Sequence, residues 1–195
     1  SPRGFYRWSR YLAEHGVSAF ALKYRLLDRE KRGKPTICVE DAKSAMRWLR
    51  ANAEKLDIDP ERIAVGGNSA GAHLAAALAT LEGFNHPSDD LSIETAPNLL
   101  LLGSPALDLS EYFGTDISPV HNLNENLPNT IAIIGDSDSV IPMTTMEVFG
   151  QGVIDAGSDF EWWVFPGKGH ALNAQNKSYL TPELMHIYYS YFNFL

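Results

Sequence analysis

The chain has 195 residues, 45% of them hydrophobic and 21% charged, enough for one globular domain with a sizeable core. Its formal charge of -8, from 24 acidic against 16 basic residues with no Lys/Arg cluster, argues against nucleic acid as a partner. No apolar run is long enough to cross a membrane, and the single cysteine, Cys38, excludes an intrachain disulfide and a cysteine-rich zinc site. The compartment stays open: the chain starts at Ser1 without a signal-peptide pattern, and any targeting segment would lie upstream.

In chain order, Phe5, Trp8, Leu12 and Ala13 share one helical face, which His15 and Gly16 stop. Residues 17–24, with Val17, Ala19, Phe20, Ala21, Leu22 and Tyr24, read as a parallel strand covered on both faces. A basic, polar loop follows over 26–35. Val39, Ala42, Met46, Leu49, Ala53 and Leu56 form a helical stripe. Asp59 and Pro60 turn the chain into a short buried strand, Ile63, Ala64 and Val65. Apolar runs at 98–102 and 130–134 read as buried strands, 144–156 as a helix stopped by Gly157, and 160–165 as an aromatic strand closed by Pro166 and Gly167. Thr181 caps a last helix, with Pro182 in its first turn and Leu184, Ile187, Tyr188, Tyr191 and Phe192 along it. No repeat or linker divides the chain. Strands alternating with helices predict an α/β fold with a parallel sheet, whose active groups gather beyond the carboxyl ends of the strands. That rule nominates the residues just after Val65, Leu102, Ile134 and Phe165.

The first of these positions holds Gly67-Asn68-Ser69-Ala70-Gly71, a Gly-x-Ser-x-Gly pattern between a strand and an Ala/Leu-rich helix. A serine on such a strand-to-helix turn exposes its hydroxyl above the sheet, and the close approach of strand and helix calls for glycine on both sides. The Ala70 amide, at the helix start, can point at a developing oxyanion. The stretch is not a P-loop, because no Lys follows, and it lacks Gly-x-Gly-x-x-Gly spacing.

A nucleophilic serine needs a base, and the base needs a group to orient it. Of six histidines, His15 reads as a helix cap, His73 as a packed helix residue, His86 and His121 as loop residues and His186 as part of the last helix. Only His170 follows a strand end directly, on a Gly-containing loop that can fold toward Ser69. Two acids follow the strand at 130–134. Asp136 can hold its own turn through backbone amides, and Asp138 lies further along the loop, nearer to His170. The order Ser69, Asp138, His170 is that of one hydrolase fold and differs from those of chymotrypsin and subtilisin.

Several stretches then make the chain resemble the α/β-hydrolase esterases, in the branch of bacterial carboxylesterases, acetylxylan and feruloyl esterases and hormone-sensitive-lipase-like enzymes. They are Arg47-Trp48-Leu49-Arg50, Ile58-Asp59-Pro60-Glu61-Arg62-Ile63, the turn Gly67 to Gly71 with His73-Leu74-Ala75, Ser118-Pro119, Gly135-x-x-Asp138-x-x-Ile141-Pro142 and Pro166-Gly167-x-Gly169-His170. They cover nearly the whole chain in the family's order. The resemblance favours Asp138 over Asp136 as the orienting acid. It implies a single α/β-hydrolase domain over residues 1–195, mostly parallel with helices on both faces, lacking its first strands. It also implies hydrolysis of carboxylic esters by Ser69, Asp138 and His170, with Ala70 in the oxyanion hole and no metal or organic cofactor. With no long helical insertion between Leu109 and Thr130, short acyl groups are expected, on small-molecule or carbohydrate alcohols. Two other readings stay open: a serine peptidase of the prolyl-oligopeptidase type, and a non-catalytic binding protein on a hydrolase scaffold.

Two expectations concern the sheet's edges. The strand Phe160–Phe165 should end the sheet, its edge covered by the helix from Thr181 or paired with a second copy in a homodimer. The family's His-Gly-Gly or Gly-Gly-Gly oxyanion loop is absent, and the strand leading to it belongs between 17–24 and 63–65. The native protein is therefore expected to carry an upstream segment with that strand, and a strand-wide gap is expected between 17–24 and 63–65, because unpaired interior backbone groups cost on the order of 1–3 kcal/mol each.

Overall fold

A computed structural model describes residues 5–27 and 33–172. Helix α1 (Tyr6–Glu14) and helix α2 (Thr36–Ala51) lead, through the short α3 (Ala53–Leu56), into strand β1 (Ala64–Asn68). Helix α4 (Ala70–Thr80) connects β1 to β2 (Leu99–Gly103). A crossover with α5 (Ser110–Phe113) and two 3-10 turns (Thr115–Ile117 and Pro119–His121) leads to β3 (Asn129–Gly135). Helix α6 (Met143–Asp155) then joins β3 to β4 (Phe160–Phe165). The four strands form one parallel sheet in the order β1-β2-β3-β4.

The apolar runs alternate between two faces, as parallel strands covered on both sides must. Leu100, Leu102, Ala132 and Ile134 meet Ala72, Ala75 and Ala76 of α4 and Met146, Phe149 and Val153 of α6. Leu99, Leu101, Ile131 and Ile133 point the other way, toward Trp8 and Leu12 of α1. Helices therefore lie on both faces, as expected. Helix α4 is apolar all round because it is sandwiched: Ala72, Ala75 and Ala76 face the sheet, and Leu74, Ala77 and Leu78 face Val39, Ala42 and Met46 of α2. Small side chains let this helix approach the sheet closely, which sets the geometry at its N-terminus.

Residues 17–24 do not form the predicted strand. A strand exists by its ladder, and β1 pairs with β2 alone among the described residues, with no ladder joining it to 17–24. Val17 and Ala19 still pack beside α1 and Ala64, while Tyr24 reaches the layer between α2 and α4. Phe20 and Leu22, read as covered, are exposed. The stripe from Val39 to Leu56 is likewise two helices, broken at Asn52, whose side-chain amide donates back to the Trp48 carbonyl at 2.8 Å. His15 caps α1, its Nδ1 bonded to the Tyr11 carbonyl at 2.7 Å. Strand β4 is the last strand of the described sheet. The helix expected from Thr181, with His186, lies outside the described residues. No helix among those described is long and apolar enough to cross a membrane.

Two buried cations tie α2 to the chain that follows α4. Lys43 donates to the Leu81 and Gly83 carbonyls, satisfying acceptors at the C-terminal end of α4. Arg47 donates from Nη1 to Asp89 at 3.0 Å and from Nε to the Ile93 carbonyl at 3.1 Å, and the Ser44 hydroxyl donates to the same carboxylate at 2.9 Å. The Arg47 and Asp89 side chains are only 10% and 11% exposed. Removing one partner of such a pair strands the other charge in a poorly solvated place. Arg47→Met is expected to lower unfolding free energy by about 3 kcal/mol in urea denaturation, and Arg47→Met with Asp89→Asn to recover part of that loss. A single-variant loss below about 0.5 kcal/mol would mean the pair is solvated in effect.

Candidate active site

Strand β1 ends in a turn with almost no room. A Cβ on Gly67 would stand 2.5 Å from the Gly71 carbonyl oxygen and 2.8 Å from the Ala72 nitrogen. Any side chain there would push α4 off the strand. Gly71, expected to be required on the same grounds, has open space around its Cβ position. The constraint is thus one-sided, with the Gly71 backbone as the wall and Gly67 as the residue that must stay bare.

The turn places Ser69 at φ 54°, ψ -117°, a conformation that a non-glycine residue adopts only when its surroundings enforce it. The enforcement is visible on both sides of the residue. Its N–H donates to the Gly103 carbonyl at 2.9 Å, and its own carbonyl accepts the His73 N–H at 3.0 Å. Ala70 is the first residue of α4, so its amide belongs to the helix N-terminal set that lacks intrahelical acceptors.

The three residues predicted from the sequence converge at the carboxyl end of the sheet. His170 Nε2 lies 3.0 Å from Ser69 Oγ, and His170 Nδ1 lies 3.0 and 3.1 Å from the two Asp138 oxygens. An ionised carboxylate only accepts, so Nδ1 carries the proton and Nε2 is left to accept from the serine hydroxyl. An imidazole held this way can take a proton from Ser69 while its positive charge develops against Asp138.

The Asp138 side chain is fully covered, 0% exposed. Burial pushes its carboxyl up, but the N–H groups of Val140 and Ile141, His170 and the Ser104 hydroxyl outweigh burial and hold it below the usual carboxylate range. The two amides donate to Oδ1 at 2.9 and 3.0 Å. Asp136, the other acid of this loop, has a different task. Its Oδ1 accepts the Gly167 N–H at 2.8 Å, and the Ser137 N–H donates to the Lys168 carbonyl at 2.9 Å. These bonds clamp the acid loop to the histidine loop. Gly135 lies so close beneath that a Cβ there would run into the Lys168 carbonyl.

His73 is 2% exposed, its Nε2 bonded to the Ile117 carbonyl at 2.8 Å, so it secures the crossover and stays out of the convergent group. Burial lowers its pKa. His121 pairs with Asp108 at 3.3 Å on that same crossover. Ser104 was not singled out from the sequence. It immediately follows β2, where the strand-end rule points, and its Oγ accepts the Ala171 N–H at 3.1 Å. No group of three or more His, Cys, Asp and Glu side chains among the described residues stands close enough to hold a metal ion.

The depressed Asp138 value has a consequence for acid stability. The folded carboxyl titrates below the unfolded one, so the unfolded chain binds more protons between the two values. This contribution is complete above the unfolded aspartate value of about 3.9 and is lost as pH falls through the folded one. Unfolding free energies measured from about pH 6 to about pH 2 should fall more steeply for the parent than for Asp138→Asn. Parallel curves would show that the carboxyl is not held low.

With that geometry in place, likeness to known proteins is informative. The BD-FAE family model matches residues 2–98. The acetylxylan esterase of Xylanibacter ruminicola is 22% identical over 187 residues, covering 85% of this chain and 36% of the relative. Endo-1,4-beta-xylanase B of Butyrivibrio fibrisolvens is 24% identical over 190 residues, covering 85% of this chain and 29% of the relative. The chain thus spans about a third of these curated relatives. Among solved structures, a thermophilic esterase of the planctomycete Thermogutta terrifontis with propionate bound superposes with a TM-score of 0.86 at 30% identity, covering 98% of this chain and 76% of that one. On the parallel sheet, its covering helices and this likeness over three-quarters of a known esterase, the chain belongs to the α/β-hydrolase esterase family.

Proposed function

We propose that this protein is a serine hydrolase that cleaves carboxylic esters of short acyl chains through an acyl-enzyme intermediate, with carbohydrate alcohols among those it releases. The observation that carries the reading is the unbroken hydrogen-bond chain Ser69 Oγ, His170 Nε2, His170 Nδ1, Asp138. His170 takes the Ser69 proton as Oγ attacks the ester carbonyl. The Ala70 amide, at the positive end of α4, donates to the oxyanion as charge develops. His170 then hands its proton to the departing alkoxide and next takes one from water as its oxygen attacks the acyl carbon; collapse breaks the bond to Ser69 Oγ, which takes the proton back from His170, and the carboxylic acid leaves. Asp138 fixes the tautomer and stabilises the imidazolium without itself being protonated.

The substrate class draws on two supports. The solved relatives include a Thermogutta terrifontis esterase with propionate bound and one with butyrate bound, both short acyl groups. An acetylxylan esterase and a xylanase stand among the curated relatives, which favours acyl groups on carbohydrate. The crossover from β2 to β3 agrees, since its helical pieces are a four-residue α5 and two three-residue 3-10 turns, too short to build a lid.

Ser69→Ala is expected to lower kcat/KM on p-nitrophenyl acetate by on the order of 10³-fold or more, and to abolish covalent labelling by a fluorophosphonate probe. Acetyl and butyryl esters, including acetylated xylan, should be preferred to long-chain esters. Full activity in Ser69→Ala would end the nucleophile assignment. A preference for long-chain triglycerides would end the short-acyl reading, and turnover of peptides but not esters would favour the peptidase reading.

A further inference from the structure

We propose that Ser104 is a positioning residue of the active site, its hydroxyl holding the backbone immediately after His170 against the end of β2. The inference rests on the catalytic reading above and extends it to a fourth side chain.

Ser104 is 1% exposed and sits at φ 37°, a second non-glycine residue in the left-handed region at this end of the sheet. Its N–H donates to the Ile133 carbonyl at 2.7 Å, extending the β2–β3 ladder by one residue. The residue is thereby fixed between the strand that leads to Asp138 and the loop that carries His170. A buried hydroxyl has one hydrogen to give and lone pairs to accept with. Ser104 Oγ accepts the Ala171 N–H at 3.1 Å, so its own hydrogen is left for an acceptor. The Asp138 carboxyl feels this hydroxyl: after burial, the Val140 and Ile141 amides and His170, Ser104 also acts on it in the lowering direction.

Ala171 and Leu172 both have positive φ, 53° and 54°, directly after His170. Such backbone does not persist without anchoring. The Ala171 amide is anchored on Ser104, so the hydroxyl tethers the histidine loop one residue past His170. Without it, the histidine loop loses a tether. A displacement of His170 by a fraction of an ångström would lengthen the contact to Ser69 while leaving the substrate pocket in place. Loss should therefore fall on kcat and spare KM.

The competing view is that Ser104 serves only the backbone corner after β2. Two variants in the full-length protein separate these views. Ser104→Ala removes the hydroxyl and keeps the strained φ, whereas Ser104→Gly removes the hydroxyl and relieves the strain. If the corner alone mattered, glycine would be as good as serine or better. Both variants are expected to lower kcat on p-nitrophenyl acetate by roughly ten-fold or more, with KM within about two-fold of the parent. The downfield proton resonance of His170 Nδ1–H should also shift or broaden in both. A folded variant with kcat within about two-fold of the parent, or with an unmoved resonance, would overturn the proposal. If Ser104→Ala does not fold, Ser104→Gly, which suits the backbone, decides. A parent without ester hydrolysis would sink the catalytic reading instead, and the resonance alone would then decide whether Ser104 positions His170.

Discussion

The parallel ladder does not stop where the strands stop, and the candidate site depends on its extension. The Ser69 N–H bonds to the Gly103 carbonyl, the Ser104 N–H to that of Ile133, and the Asp136 N–H to that of Phe165. Each is the first residue past its strand, and each bond joins it to the neighbouring strand. Ser69, Ser104 and Asp136 are thus indexed to one sheet edge by backbone hydrogen bonds, before any side chain is considered. The register below them is fixed by burial. Shifting β2 by one residue would turn Leu100 and Leu102 out of the α4–α6 layer and drive Leu99 and Leu101 into it. The geometry of the candidate site is in this sense a consequence of core packing.

A buried carboxylate beside a partly buried histidine is costly unless every lone pair is used. Here the expense is offset locally. Asp138 takes donors from two backbone amides and from His170, and Asp136 clamps the loop on which those amides lie. The two acids of Gly135-Asp136-Ser137-Asp138 divide the work, one binding backbone and the other binding imidazole. The same economy governs the far side of α4, where Lys43 and Arg47 are buried only because carbonyls and Asp89 receive their protons.

Much of this was legible in the residues. Strands β2 and β3 are continuous apolar runs buried on both faces, and β4 is an aromatic run, partly exposed, at the end of the described sheet. Ser69, Asp138 and His170 could be placed together because each follows a strand end, and parallel strands deliver their ends to one side. What was not legible has physical reasons. The apolar content of residues 17–24 predicted a strand, but apolar content speaks of burial and a strand needs a hydrogen-bonded neighbour, which no local pattern encodes. Gly71 was read as sterically required, yet only the three-dimensional path of α4 shows that its backbone is the wall and Gly67 the residue facing it. Ser104 escaped because a lone serine after a strand carries no motif. Its contacts are to residues 29 and 67 positions away, Ile133 and Ala171.

The distribution of backbone strain closes the physical account. Of the non-glycine residues with positive φ, Ser69, Ser104, Ala171 and Leu172 lie around the convergent site. Each such residue costs on the order of 1–3 kcal/mol, a sizeable share of a domain's net stability of about 5–15 kcal/mol. A fold selected for stability alone would replace them with glycine or straighten the turns. Their retention makes sense if a side chain is needed at Ser69, because a serine hydroxyl can be lifted clear of the sheet only where the backbone turns sharply. The strain at Ala171 and Leu172 follows from bringing His170 back over β1 from the far side of β4, three strands away. Sheet order thus sets the reach, the reach sets the strained loop, and the bonds from Asp136 and Ser104 hold that loop where His170 meets Ser69.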